Sequence, residues 1–208
     1  MTTKKQLAVL GIGIILALVV GIFSTGLFTS NGDVPTTNSA EAGFARDMSI
    51  HHQQAIDMSF LIRERTNNQE IRNFAYDIIN TQAAQRGMML GWLDVWNLSM
   101  TSTDTPMAWM QDDMQMNDMG TMHSFTPGAV MPGMATSGEV NQLRSLAGTD
   151  AEKLFLVLMI RHHQGGVMMA QGLVDRSDYE QVVRLAQTMV DGQQAEIEYM
   201  QKLLTQYD

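Results

Sequence analysis

Cysteine is missing from all 208 residues, which excludes disulfides, thiolate metal sites and thiol catalysis together. Basic charge is scarce as well: 13 Lys and Arg stand against 22 Asp and Glu. Two of those lysines, Lys4 and Lys5, precede a long apolar run, and past it 11 basic side chains face 22 acidic ones. That balance argues against nucleic acid as a partner. The chain has no Ser/His/Asp constellation, no phosphate loop and no zinc helix motif, so no catalytic arrangement is legible in it. Histidine is limited to five residues, whereas methionine supplies 19, several times its ordinary usage. That imbalance is the strongest compositional clue.

What is present is a repeat. Sliding the chain against itself by 111 residues lays Met48-Ser49-Ile50-His51-His52-Gln53 on Met159-Ile160-Arg161-His162-His163-Gln164 without a gap. The match extends outward from the histidines: Phe44 meets Phe155, Met58 meets Met169, Arg65 meets Arg176, Gln82 meets Gln193 and Leu93 meets Leu204. One helix-pair unit is therefore used twice, with paired histidines at the same place in each copy.

The N-terminus reads as a membrane address. Residues 1–6 form a cytoplasmic stub carrying Lys4 and Lys5, and the apolar stretch 7–28 would span about 33 Å as a helix, enough to cross the hydrocarbon core. The lysines place everything after it outside the cytoplasm. A cleaved signal peptide is the rival reading; no convincing small-x-small site follows the run and no lipobox cysteine exists. Residues 29–38 form a Thr/Asn/Gly/Pro-containing tether to the domain at 39–208.

Helical spacing organises that domain. Phe44, Met48, His51, Ala55, Met58 and Ile62 recur at steps of four and three, which puts them on one inward stripe after a cap at Asn38 or Ser39. A second helix is expected from Gln69 to Asn97, with Ile71, Ala75, Ile78, Gln82, Gln85, Met89 and Trp92 inward. The other copy repeats the pattern. Thr149 or Asp150 caps a helix striped by Phe155, Met159, His162, Gly166, Met169 and Leu173, and Ser177 or Asp178 opens a last one with Val182, Ala186, Met189, Gln193, Glu196, Met200 and Leu203 inward. An extra helix capped by Ser137 leads in. Four long helices, two short turns and one long crossover predict an all-α, ferritin-like four-helix bundle preceded by one transmembrane helix.

The crossover, 98–137, lacks helical period and collects nine methionines, among them Met114, Met116, Met119 and Met122, with His123 beside the last. Core packing does not explain thioethers in so polar a loop. Thioether sulfur and imidazole nitrogen are soft and borderline donors that together select copper, above all cuprous ion. A flexible Met114-to-His123 run would gather several of them around one ion. The alternatives are an adaptable contact surface for a partner protein and a reversible oxidant trap. In the helices, Met48 lies three and four residues before His51 and His52, and Met159 before His162 and His163, so sulfur and nitrogen share a face. Hydrogen-bonded core histidines, satisfied by Gln82, Gln85, Gln193 or Glu196, are the competing explanation. A di-iron oxidase would need several inward carboxylates, and only Glu196 stands at a suitable height. Its repeat mate is Gln85, and Asp47 is matched by Leu158.

The two His-His motifs, with Met131-Pro132-Gly133-Met134 ahead of the second, resemble the family called domain of unknown function 305 over roughly residues 40 to 205. The resemblance implies a ferritin-like helical bundle, export from the cytoplasm and, in some members, copper binding through Met and His linked to copper tolerance. It points to Met48, His51, His52, Met58, Met159, His162, His163, Met168 and Met169. Gln164 and Gly165 stand where family members often have an acidic residue, which turns the site further from hard metals. The expectation is a single-pass, extracytoplasmic copper-binding protein that sequesters cuprous ion or delivers it to a membrane copper enzyme such as a haem-copper oxidase. The contender is an accessory subunit of a membrane respiratory complex with structural histidines.

Overall fold

A computed structural model describes residues 34–113 and 126–207. Among these residues are five α-helices and no strand: α1 Ala40–Arg65, α2 Gln69–Val95, α3 Ser137–Ser145, α4 Gly148–Val174 and α5 Glu180–Leu204. The expected anchor 7–28 and its stub lie outside the described residues, as do Met114, Met116, Met119, Met122 and His123 of the crossover. Among the described residues no helix is long and apolar enough to cross a membrane.

The boundaries follow local chemistry. Ser39 caps α1 by accepting from the Ala42 amide, with Glu41 in the first turn and Arg63 and Arg65 in the last, each where the helix dipole favours its charge. Asn68 caps α2 in the same way through the Glu70 amide. The cap of α3 is Thr136 rather than Ser137, in a reciprocal box with Glu139. The expected caps of the last two helices are not used. Gly148 opens α4 at φ +59° after Ala147, with no side-chain cap; this left-handed backbone is easy only for glycine. Likewise α5 begins after Tyr179 without a side-chain cap, because Ser177 turns to Glu41 and to the Tyr179 amide.

Residues 66–68 and 175–179 are the turns that fold α1 onto α2 and α4 onto α5, and such short connections give antiparallel neighbours. Each hairpin packs most extensively within itself, and the two meet along α1 and α4. The inward stripes expected of α1 and α4 are buried throughout. On α2 and α5 the seam is turned by one residue in places: Leu93 and Ile197 are buried, while Trp92 and Glu196 are only partly covered.

The core is divided. One apolar cluster holds Phe44, Met48, Met89, Leu93, Met169 and Met189. The other holds Met58, Ile78, Phe155, Met159, Ile197 and Met200. Along every long helix the change from one cluster to the other occurs at a polar pair: His51 and His52 on α1, Gln82 and Gln85 on α2, His162 and His163 on α4, Gln193 and Glu196 on α5. The duplicated motif thus builds a polar layer across the middle of an apolar interior.

The crossover departs from expectation. Met107, Met110, Met131 and Met134 are buried in the first cluster, so four of the nine crossover thioethers are core residues after all, and Met100 is exposed. Asp47 anchors this segment by accepting from the Met107 amide and the Trp109 indole at 2.8 and 2.9 Å. Trp109 in turn packs on Gly43 and meets Phe44 edge-on, with ring centroids 5.9 Å apart. Farther on, Gln54 grips both backbone groups of Ala135, at 2.7 Å to its nitrogen and 2.9 Å to its oxygen.

Candidate metal centre

All four helical histidines are fully buried. Helical spacing puts His51 and His162 on the stripes by which α1 and α4 face each other, and their rings stack with centroids 3.8 Å apart at 35°. His162 and His163 lie 6.2 Å apart. His52 and His163 reach sideways to the partner helix of their own hairpin.

Each ring is fixed through Nε2. His51 Nε2 lies 3.1 Å from the Pro132 carbonyl, and His162 Nε2 lies 3.0 Å from the His51 carbonyl. His163 Nε2 lies 2.8 Å from a Glu196 carboxylate oxygen, and His52 Nε2 lies 2.8 Å from Gln85 Oε1. Carbonyls and carboxylates only accept, so a neutral ring in these positions carries its proton on Nε2. The lone pair is then left on Nδ1. None of the four Nδ1 atoms has a hydrogen-bond partner, although all are buried.

Three of the rings, His51, His52 and His162, are held neutral. Burial is the largest cause: it lowers His51 to about 3, helped by the adjacent charge of His52 and opposed by the Pro132 hydrogen bond. It lowers His52 to about 4 against the Gln85 bond, and drives His162 well below the usual imidazole range, with His51 and His163 adding to the effect. A neutral imidazole is the form that binds a metal.

Both amide atoms of Gln82 and of Gln193 are also buried without partners. The layer therefore contains unpartnered oxygen and nitrogen on four helices, where an unpaired polar group costs about 1–3 kcal/mol. Such groups call for an ion or ordered water. Among the described residues, however, no three His, Asp or Glu side chains come together as a metal cluster. Further donors within the layer and beside it are the unpartnered Gln82 and Gln193 amide oxygens and methionine sulfur. Met48 and Met169 fall in the apolar cluster on one side of the layer, Met58 and Met159 in the cluster on the other. Each pair joins one methionine from each copy of the repeat. Met168 is only partly buried. The donor chemistry of neutral imidazole and thioether fits a soft metal ion.

Two contributors were not read from the sequence. Pro132 supplies the His51 partner because the crossover backbone presses onto α4. A Cβ on Gly133, at φ +74°, would lie 2.3 Å from the Arg161 carbonyl, and one on Gly165 would lie 2.1 Å from that of Pro132. The signal was a glycine in each of two distant motifs. Arg161 completes the clasp with two bonds to Glu139, at 2.8 and 2.7 Å. The second contributor is the distribution of work among the layer's side chains: Gln85 and Glu196 hold the histidines, while the more deeply placed Gln82 and Gln193 do not.

The family described as Domain of unknown function (DUF305) matches residues 41–204. Among solved structures, a putative secreted DUF305 protein from Streptomyces coelicolor is 48% identical, with a TM-score of 0.72, covering 83% of this chain and 96% of that one. A DUF305 fragment from Deinococcus radiodurans is 32% identical, with a TM-score of 0.63 and coverage of 80% and 96%. CopM in the Cu(I)-bound form shares the fold at 21% identity, with a TM-score of 0.58 and coverage of 81% and 97%. No curated protein matches the chain.

Proposed function

The chain belongs to the DUF305 family, and from that premise we propose that it is an extracytoplasmic copper-binding protein that holds cuprous ion for sequestration or delivery. The observation that carries this reading is the set of four buried imidazoles with unpartnered Nδ1 atoms, in a layer bordered by methionines. CopM, similar in fold, has been described in Cu(I)-, Cu(II)- and Ag-bound forms, which supports copper as the ion without fixing its oxidation state or this chain's ligands. In the proposal the four long helices form a ferritin-like four-helix bundle. The ligands come from His51, His52, His162 and His163 through Nδ1, with Met48, Met58, Met159 and Met169 supplying sulfur. Because His51, His52 and His162 are already neutral, the ion binds them without first displacing an imidazolium proton. The apolar clusters on either side keep water from competing for the ion.

Residues 7–28 anchor the domain to the outer face of the membrane, with 29–38 as tether. Met168 and the run Met114, Met116, Met119, Met122 and His123 serve as accessory thioether and imidazole donors in this scheme. A membrane copper enzyme such as a haem-copper oxidase is the proposed recipient. A second reading, a respiratory accessory subunit with structural histidines, draws on the hydrogen bond that every Nε2 already makes.

The test is titration of the full-length chain with cuprous ion against a competing chelator. Submicromolar binding that disappears when all four histidines are replaced by leucine in a still helical protein supports the reading. Binding that survives those replacements, or none in the unmodified chain, overturns it.

A further inference from the structure

Between α2 and α5 a groove of about 610 Å³ is lined by Glu70, Asn73, Phe74, Asp77, Glu196 and Tyr199. Tyr199 closes one side, with its hydroxyl donating to Glu70 at 3.0 Å and its ring 5.1 Å from that of Phe74. Three carboxylates thus share a recess with two aromatic walls. One of the three, Glu196, faces both ways: it lines the groove and holds the fully buried His163, whose Nδ1 is unpartnered.

The internal repeat provides a built-in control. Shifting each groove residue by 111 gives the matching positions at the other end of the α2 and α5 pair: Gln181, Arg184, Leu185 and Thr188 on α5, with Gln85 and Met88 on α2. There Gln85 holds His52 as Glu196 holds His163. None of the three carboxylates has an acidic counterpart, and Arg184 pairs with Glu180 at 3.3 Å. The two ends lead to equivalent histidines through unlike surroundings.

From this asymmetry we infer that the acidic groove is the entrance through which a monovalent metal cation reaches the histidine layer, with Glu196 as the positioning residue that holds His163 by Nε2 and leaves its Nδ1 for the ion. The inference rests on the copper-binding reading and adds a route to it. The groove is an approach and not a second site. Carboxylates in a recess with low-dielectric walls focus the field and raise the local concentration of cations, which speeds association by tenfold or more. Equilibrium affinity is set by the buried donors and is indifferent to Glu70 and Asp77.

The experiment follows uptake of Ag⁺ from nitrate buffer by the full-length chain, using rapid mixing and a chelator quench. In Glu70→Gln/Asp77→Asn, which keeps an acceptor for Tyr199, the uptake rate at low ionic strength falls about tenfold. The deficit shrinks as salt is added, while the equilibrium constant stays put. Glu70→Asp/Asp77→Glu keeps the charge and the rate. An unchanged rate in the neutral variant, or an equal loss from Met88→Leu at the other end, overturns the route while leaving copper binding intact. Failure of the unmodified chain to retain Ag⁺ or cuprous ion overturns the underlying reading instead.

Discussion

The two halves of the domain start from the same motif and finish it differently. In the second half, His162 rests on a backbone carbonyl of α1 and His163 on the carboxylate of Glu196. In the first half, His51 rests on Pro132 of the crossover and His52 on the amide of Gln85. The crossover docks by opposite means at equivalent positions: Gln54 reaches out to hold Ala135, whereas its repeat mate Gly165 makes room for Pro132. Duplication supplied two equal pairs of histidines, and the connecting segment together with the exchange of Gln85 for Glu196 made their surroundings unequal. The lesson is that internal symmetry predicts where the paired histidines stand but not what holds each of them.

The sharpest way to break the comparison is to remove one half's imidazoles at a time. His162→Ala/His163→Ala is expected to lower cuprous affinity by at least about 100-fold, measured by chelator competition. His51→Ala/His52→Ala should cost less, because the carboxylate-backed His163 remains. Equal losses from the two pairs would mean that Glu196 confers no advantage.

Next in size is the crossover clasp. Gly133→Ala places a Cβ against the Arg161 carbonyl at a backbone angle unfavourable to side chains, which should reduce unfolding free energy by about 2–4 kcal/mol in urea. It should also move the imidazole nitrogen resonances of His51 while sparing those of His163. Movement of both would show that the halves respond as one.

The third test uses pH. In the folded chain, burial holds His51 near 3 and His52 near 4, against about 6.5 when unfolded. Below about 6.5 the unfolded chain therefore binds protons that the folded chain does not. Stability falls as pH drops from there toward 4, by up to about 1.4 kcal/mol per pH unit for each such histidine. Urea unfolding across this window should steepen accordingly, and His52→Gln should remove one histidine's share. A flat profile between pH 6.5 and 4 would contradict the neutral, buried layer. The smallest effect expected is that of Glu196→Gln, which makes the second half resemble the first. Cuprous affinity should drop about tenfold, with helix content unchanged by circular dichroism, whereas Gln85→Glu should raise it.

Much of this was legible from spacing. A repeat at 111 residues and stripes at steps of three and four place Met48, His51, Met159 and His162 inward, and the described residues bury all four. Helix starts were less legible, because Gly148 opens α4 by backbone angle and Ser177 is drawn away by Glu41, a residue 136 positions distant. The burial of four crossover methionines was illegible for a related reason. Met107, Met110, Met131 and Met134 have no helical period to betray burial, since their contacts depend on the clearance left by residues such as Gly172 and Gly165 on α4. Periodicity reports a helix's own faces and is silent about what an irregular strand of chain lays over them.

The polar layer across the interior also bears on how the protein would register its cargo. All four long helices pass through it, so two oily compartments meet at a waist where several hydrogen bonds are left unmade among the described residues. An ion gripped there would rivet one compartment to the other. Its arrival would show less as movement of any helix than as a sharper, later melting transition, with the shift growing as the logarithm of free ion.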